Sequence, residues 1–347
     1  DPVVALAFSP DGKELLSGGV GGGVIVWDLE KSSPRWRKAD GRYGVLSVAW
    51  GADGAAVWVT DGAAIHRCGG APSRHTWRRI EDHERLRAAT LTSDGTKLFA
   101  VTDSSSVGVW EAATSNLLWE ARESGPERSS TATTPLGERL VLAGGVQAFL
   151  YGQGVGPSTV PIQLHGESYR VAISPDGRYL AAADGAEGVG AYEIVSGVQC
   201  AHLGKGPRAP TSLCFGADSR LLAVGRQEGE VELCDLAGHS ATSTLKGHQG
   251  RVTALAFSVD GRRLASGGSD KTIYVWDVAG VAHAPGSPGD LEACWEGLSS
   301  AADASTGIWG LVDAGDEAVR LIAGRLAPAR VDNEGIARLL AQLDADE

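Results

Sequence analysis

The sequence predicts an all-β protein: a seven-bladed propeller of four-stranded antiparallel blades, with a short α-helical C-terminal tail. Two observations carry this. A turn motif recurs at nearly fixed spacing, and each copy sits between apolar runs of period two. The motif is Pro10-Asp11-Gly12, then Ala52-Asp53-Gly54, Ser93-Asp94-Gly95, Pro175-Asp176-Gly177 and Val259-Asp260-Gly261. Weaker copies are Pro135-Leu136-Gly137 and Ala217-Asp218-Ser219. The steps between central residues are 42, 41, 42, 40, 42 and 42, so one structural unit is repeated seven times.

Within a unit the elements follow in order. Val4-Ala5-Leu6-Ala7-Phe8 and Thr253-Ala254-Leu255-Ala256-Phe257 alternate as a first strand. Asp-Gly then predicts a tight hairpin, because Asp tolerates the turn and Gly takes positive φ without a clash. A second strand follows, as in Glu14-Leu15-Leu16-Ser17 and Arg263-Leu264-Ala265-Ser266. A third ends at Val26-Trp27-Asp28, Val109-Trp110-Glu111 and Val275-Trp276-Asp277. A fourth, more polar strand leads into the next unit, as in Ser243-Thr244-Leu245-Lys246-Gly247-His248. Such a unit cannot close on itself, but seven set radially leave only short, protected edges.

These residues resemble the WD-repeat family. The best copy runs from Gly247-His248 to Trp276-Asp277, with Ser266 and Asp270 at the family's spacing. The resemblance covers residues 1 to about 280 and is specific in the first, sixth and seventh copies. Copies two to five match loosely. Copy one has Gly21 where Asp270 falls, copy six has Cys234-Asp235 for Trp-Asp, and copy four is expected to have Gly152 at the Trp position. The resemblance implies that His248, Ser266, Asp270 and Trp276 form a buried hydrogen-bond tetrad. It also implies a partner-binding face at one mouth of the central channel. Residues flanking the Val after Gly-His, and the one before the turn Asp, would lie there. These are Arg251, Thr253 and Ser269 in copy seven, Arg85, Arg87 and Asp103 in copy three, Glu167 and Tyr169 in copy five, and Gln227 in copy six. That set is mixed in charge with one aromatic, unlike a concentrated cluster of Trp, Tyr and Arg.

The tail reads differently. Residues 281–289 form a Pro/Gly linker between a propeller over 1–280 and a helical segment over 290–347. Asp290 caps a helix with Leu291, Trp295 and Leu298 on one face. Ile308, Leu311 and Val312 suggest a second helix. Asp316 leads into Val319, Ile322, Ala323 and Leu326, and Asn333 into Ile336, Leu339, Leu340 and Leu343. Trp295 with Ile308-Trp309 resembles the segment after the propeller in bacterial multidomain WD-repeat proteins. The chain has no Met and begins at Asp1, so it is expected to be a fragment. Its first strand starts at Val3, and only Val281-Ala282-His283-Ala284 follows Trp276-Asp277 before the linker. Blade seven is therefore expected to lack its outer strand, with an upstream segment completing it.

Composition narrows function. The net charge is −12, and 12 acidic against 4 basic residues after position 280 supply most of it. The basic excess of a nucleic-acid binder is missing. No run of 18 apolar residues offers a membrane span. The arginines between Arg74 and Arg87 are interrupted by Glu81, Asp82 and Glu84 and read as a solvated loop. Five dispersed cysteines without a Cys-x-x-Cys favour reduced thiols and a cytoplasmic setting. The eight histidines show no ligand spacing, so neither metal nor cofactor is expected. His248, Ser266 and Asp270 match a nucleophilic triad by residue type, but a buried Ser without an oxyanion hole cannot serve acyl transfer. Ala5, Ala7, Ala49, Ala89, Ala254 and Ala256 line the first strands and leave the channel without catalytic groups. The expected function is a non-catalytic protein–protein interaction scaffold taking a protein or peptide partner on a propeller face. A sensory or regulatory arm of a larger bacterial signalling or transcription-control protein is second, and a propeller hydrolase third.

Overall fold

The computed structural model describes residues 1–39, 43–51, 53–69, 75–80, 85–102, 106–122, 130–134, 137, 139–152, 155–157, 162–165, 168, 170–184, 188–203, 209–237, 240–280, 291–297, 311 and 316–325. Seven separate antiparallel sheets follow one another along the chain, one per repeat. Blade one is β1 (Val3–Phe8), β2 (Glu14–Gly19), β3 (Gly23–Asp28) and β4 (Ser33–Ala39). Blade two is β5 (Val45–Trp50), β6 (Ala56–Thr60), β7 (Ala64–Cys68) and β8 (His75–Arg79). Blade three is β9 (Leu86–Leu91), β10 (Lys97–Thr102), β11 (Ser106–Glu111) and β12 (Leu117–Arg122).

Blade four has β13 (Ser130–Thr133), β14 (Arg139–Gly144) and β15 (Gln147–Gly152); its outer edge is shared by two short pieces, β16 (Val155–Pro157) and β17 (Ile162–Gln163). Blade five is β18 (Val171–Ile173), β19 (Tyr179–Asp184), β20 (Gly188–Glu193) and β21 (Gln199–Leu203). Blade six is β22 (Pro210–Phe215), β23 (Leu221–Arg226), β24 (Glu230–Asp235) and β25 (Ser240–Lys246). Blade seven, among the described residues, is β26 (Val252–Phe257), β27 (Arg263–Gly268) and β28 (Ile273–Asp277).

The hairpin between first and second strands follows one plan in six blades and is longer there than a two-residue Asp-Gly turn; in blade two the Gly51 N–H donates to Ala55 and the loop is one residue shorter. The Gly12 N–H donates to the Ser9 carbonyl at 2.8 Å, and the Ser9 N–H to Glu14 at 2.9 Å, which encloses four residues. Ser9 Oγ donates to Asp11 at 2.6 Å, and the Lys13 N–H donates to the same carboxylate at 3.0 Å. Thr92 with Asp94, Ser174 with Asp176 and Ser258 with Asp260 repeat the hydroxyl contact. A hydroxyl two residues before the Asp therefore locks the turn from inside. Among the described turn residues, only the third takes positive φ. It is Gly in six copies, from +64° at Gly95 to +73° at Gly54, and Ser219 at +60° in copy six.

The apolar core lies between blades. One cluster joins Leu16, Val24 and Val26 of blade one to Val48, Trp50 and Trp58 of blade two. Another joins Val141 and Ala148 of blade four to Leu180 and Tyr192 of blade five. The ring closes where blade seven meets blade one, through Val3, Leu6, Phe8, Leu15, Ala254 and Ala256. Polar contacts span the same seam: Thr253 Oγ1 donates to the Val3 carbonyl, and the Arg263 guanidinium to the Gly12 carbonyl at 2.6 Å.

One alignment is corrected by the register. Leu15 pairs with Trp27 in blade one, and the matching pair in blade four is Leu140 with Tyr151. Tyr151, not Gly152, holds the Trp position; Gly152 pairs with Arg139, where Asp28 pairs with Glu14. The first turn keeps its register, since Thr134 bonds Arg139 as Ser9 bonds Glu14; the hairpin between β14 and β15 is one residue shorter than that between β2 and β3, and this displaces the count.

The chain divides into two compact units, Asp1–Ala284 and Pro285–Glu347. In the second unit the described helices are α1 (Leu291–Gly297) and α2 (Asp316–Arg325). Arg325 lies over the Trp295 ring at 5.6 Å and bonds the Glu292 carboxylate, which ties the two helices together. The face of α2 differs from the expected stripe. Ala318 is buried, Leu321 and Ile322 are half-buried, and Val319 is 63% exposed. Leu311 is helical and buried, while the rest of the expected second helix and all of the fourth lie outside the described residues.

Candidate functional site: a buried tetrad and a polar propeller face

The four family-spaced residues of blade seven come together. Asp270 sits in the turn between β27 and β28, Ser266 on β27, Trp276 on β28, and His248 in the loop before β26. His248 Nδ1 lies 3.1 and 3.0 Å from the Asp270 carboxylate oxygens, and Nε2 lies 2.9 Å from Ser266 Oγ. The Trp276 indole N–H donates to the same Oγ at 2.8 Å. The carboxylate fixes the tautomer: Nδ1–H donates to Asp270, so Nε2 accepts from Ser266. Asp270 also accepts from the Gln249 N–H at 2.8 Å, the Thr272 N–H at 3.1 Å and the Thr272 hydroxyl at 2.8 Å. Burial works to raise the Asp270 pKa, but these donors outweigh it and hold the carboxyl down at about 2.

This geometry cannot support nucleophilic catalysis. Ser266 is 0% exposed, and its oxygen is shared between His248 and the Trp276 indole. The same network is cut down elsewhere. Blade one keeps Trp27 Nε1 to Ser17 Oγ at 2.8 Å, with Gly21 in place of the Asp. In blade five Tyr192 holds the Trp position, and its hydroxyl takes the His165 N–H directly at 3.1 Å. In blade two the ring moves one strand inward: Trp58 pairs at the Ser17 position and stacks on His66 at 5.1 Å.

The residues expected to meet a partner lie where first strands begin and second strands turn into third strands. Arg251, Ser269, Gln227, Arg85 and Arg87 are exposed there. Arg251 donates to the Gln227 side-chain oxygen at 3.2 Å, across blades seven and six. Arg85 pairs with Asp61 of blade two at 3.2 Å. Thr253 is engaged internally, with its hydroxyl on the Val3 and Gly267 carbonyls. Asp103, Glu167 and Tyr169 lie outside the described residues.

Three residues on this face escaped the sequence reading. Arg170 precedes β18 and donates from Nε to the Thr211 carbonyl of blade six at 3.0 Å. Partial burial, and then the Arg251 charge, lower its pKa, so two guanidiniums act on each other at the inner edge of blade six. Val20 is 54% exposed and Tyr43 47% exposed. Val20 stands in blade one where Ser269 stands in blade seven, three residues after Ser17 and Ser266 respectively, so the spacing rule applied to copy one would have found it.

The channel forms a cavity of about 870 Å³, walled by Phe8, Trp50, Leu91, Ile173, Phe215 and Phe257 among others. The one carboxylate on its wall among the described residues, Asp94, is bonded to Thr92 and Thr96. Among the described residues no group of three His, Cys, Asp or Glu side chains could hold a metal ion. Cys200, Cys214 and Cys234 are free thiols. Burial drives them up, to about 11, 11 and 12, far from thiolate reactivity. No helix in the described residues is long and apolar enough to cross a membrane.

Seven radial antiparallel sheets around a channel, closed by their first and last blades, define a β-propeller. The sequence model of the family described as "WD domain, G-beta repeat" matches residues 1–28 and 239–277, which cover most of blade one and all of blade seven's described strands. With the blade-seven tetrad, this makes the chain a seven-bladed WD-repeat propeller. No curated protein matches the sequence.

Proposed function

We propose that the protein is a non-catalytic interaction scaffold that binds a protein or peptide segment on the face carrying Arg251, Gln227, Ser269, Arg85 and Arg87. The observation that carries this is the use of polar groups. The blade-seven polar groups that resemble a catalytic set are spent on each other inside the blade, whereas the exposed groups of this face stand on turns held by a rigid ring. The Arg170–Arg251 pair gives the face a local cationic spot on an acidic protein, and this favours an acidic partner residue there. Asp103, Glu167 and Tyr169 belong to the same proposed face by their spacing, and Thr253 supports it from below.

The test is site-specific photo-crosslinking from position 269, with position 195 at the opposite ends of the strands as control. A partner captured only from 269 is purified, and its affinity is measured directly. Arg251→Glu should weaken it by about tenfold or more, since a charge reversal at a close pair costs more than about 1.4 kcal/mol. Equal capture from both positions, or an affinity indifferent to Arg251→Glu, refutes the assignment of the face. A second reading, a regulatory arm of a larger protein, is favoured by the compact helical unit Pro285–Glu347 that follows the propeller.

A further inference from the structure

The arginines of the partner face are aimed in two different ways. Arg85 meets a carboxylate, Asp61, at 3.2 Å. The bonds that aim Arg170 and Arg251 go to neutral oxygens. Arg170 Nε donates to the Thr211 carbonyl at 3.0 Å, and Arg251 Nη2 donates to the Gln227 side-chain oxygen at 3.2 Å. Thr211 and Gln227 both belong to blade six. A guanidinium from blade five and one from blade seven are thus drawn over the blade between them.

The supports are fixed. The Arg170 carbonyl accepts from the Ala183 N–H at 2.9 Å, and the Arg251 carbonyl from the Ser269 N–H at 2.8 Å, so each backbone is tied to its own blade. The Thr211 hydroxyl donates to the Val252 carbonyl of blade seven at 2.6 Å, which holds the residue that aims Arg170. The fold itself asks for no charge at position 170. Ile173 pairs with Leu180 as Phe257 pairs with Leu264 and Phe8 with Leu15, so Arg170 stands where blade seven has Ala254 and blade one has Ala5, both buried. Burial, and then the Arg251 charge, lower the Arg170 pKa, so the two cations are near enough to act on each other. Their mutual repulsion is relieved when an anion joins them.

We propose that Arg170 and Arg251 together bind a phosphorylated side chain of the partner, a phosphoserine or phosphothreonine in a segment lying over the inner edge of blade six. This rests on the reading of the face as the partner surface, and it narrows the partner to a phosphoprotein. The chemistry favours a phosphate over a carboxylate. One planar guanidinium satisfies a carboxylate through two parallel bonds. Two guanidiniums arriving from opposite sides suit a group with three acceptor oxygens and a charge of about −1.5 to −2. Glu228 follows Gln227 in the same turn, is exposed, and works against any anion there. Two guanidiniums outweigh one carboxylate. Because the net attraction scales with the charge of the ligand, a phosphate dianion gains about twice what a carboxylate gains.

The experiment uses the whole chain and three immobilised peptide libraries, each with one central residue flanked by random positions. The central residue is phosphoserine, serine or glutamate. Retention on the phosphoserine library is expected to exceed that on the other two by about tenfold or more, and to fall away near 1 M salt, where the screening length is about 3 Å. Arg170→Gln and Arg251→Gln should each bring it down to the level of the serine library. Arg262→Gln, in the exposed turn at the opposite ends of the strands, should leave it unchanged. Urea denaturation checks that each variant is folded, and if Arg170→Gln is not, the exposed Arg251→Gln decides the matter. Equal retention on the phosphoserine and glutamate libraries overturns the proposal, and so does retention indifferent to the substitutions. Phosphatase treatment of the partner captured from position 269 separates this proposal from the assignment of the face. A partner that keeps its affinity after phosphatase, and still loses it with Arg251→Glu, overturns the phosphate site and leaves the face standing. Phosphoserine retention that needs both arginines, with no capture specific to position 269, supports the phosphate site while the assignment of the face falls.

Discussion

Replacing Asp270 by Ala tests the tetrad most directly. The carboxylate is held from its ordinary 3.8 down to about 2, which at about 1.4 kcal/mol per unit amounts to about 2.5 kcal/mol of folded-state preference for the ionised form. Removing it also strips the His248 Nδ1–H of its acceptor, in a side chain that is 0% exposed. An orphaned buried donor costs about 1–3 kcal/mol. The Thr272 hydroxyl, 3.0 Å from Nδ1, can turn to accept in the variant and offsets part of that. The expected loss is about 2–3 kcal/mol at neutral pH, or a fall in Tm of roughly 4–6 °C at about 2 °C per kcal/mol for a domain of this size. The pH dependence carries a sign. A carboxyl with a depressed folded pKa stabilises fully above its unfolded value near 3.8, and the contribution fades as pH falls through about 2. The gap between parent and variant, measured by urea denaturation, should therefore be about 1 kcal/mol narrower near pH 3 than near pH 7. An unchanged Tm, or a gap of equal size at both pH values, refutes the argument.

Three further outcomes are expected. Gly261→Ala should cost about 1–2 kcal/mol through its φ of +68° alone, because the added methyl meets nothing closer than Ala217 at 3.9 Å; thermal denaturation measures it. Gly18→Ala puts a methyl 2.5 Å from Val45 across the seam of blades one and two, so a loss of about 1–3 kcal/mol is expected, partly recovered in the Gly18→Ala/Val45→Ala double variant. Cys200, Cys214 and Cys234, with burial lifting them to about 11–12, should resist iodoacetamide at neutral pH in the native protein and react in urea; labelling located by peptide mass spectrometry decides it.

The repeat was legible because its period is fixed by backbone chemistry. Each copy needs one residue of positive φ at the third position of the turn, and Gly, or once Ser219, marks the place. The tetrad was legible in blade seven alone because only there do all four polar partners occur together. Blade two was obscured because Trp58 moved one strand inward to stack on His66, so a search for Trp at the end of the third strand finds Cys68 instead. The helical stripe of α2 was misread because two stripes fit it. Val319, Ile322 and Ala323 share one face, while Ala318, Leu321 and Ile322 share the face that is buried. Periodicity gives the spacing of a face and not the side that packs.

The tetrad occupies the blade whose third strand has one strand neighbour among the described residues, and the two facts are physically connected. In blades one to six the third strand is held from both sides, by the second strand and by an outer one. In blade seven β28 has one strand neighbour among the described residues, yet Trp276 is fixed to Ser266, Ser266 to His248, and His248 to Asp270. Tyr274, the next side chain on the same face, donates to the Gly247 carbonyl at 3.2 Å and meets His248 edge-on at 4.8 Å. Tyr274 and Trp276 of β28 are thus both anchored through the loop before β26. The anchoring holds β28 from within the blade, so its ordering does not rest on an outer strand alone. Among the described residues, the four-member network of blade seven stands behind the third strand that has a single strand neighbour, and that is where rigidity supplied from within matters most.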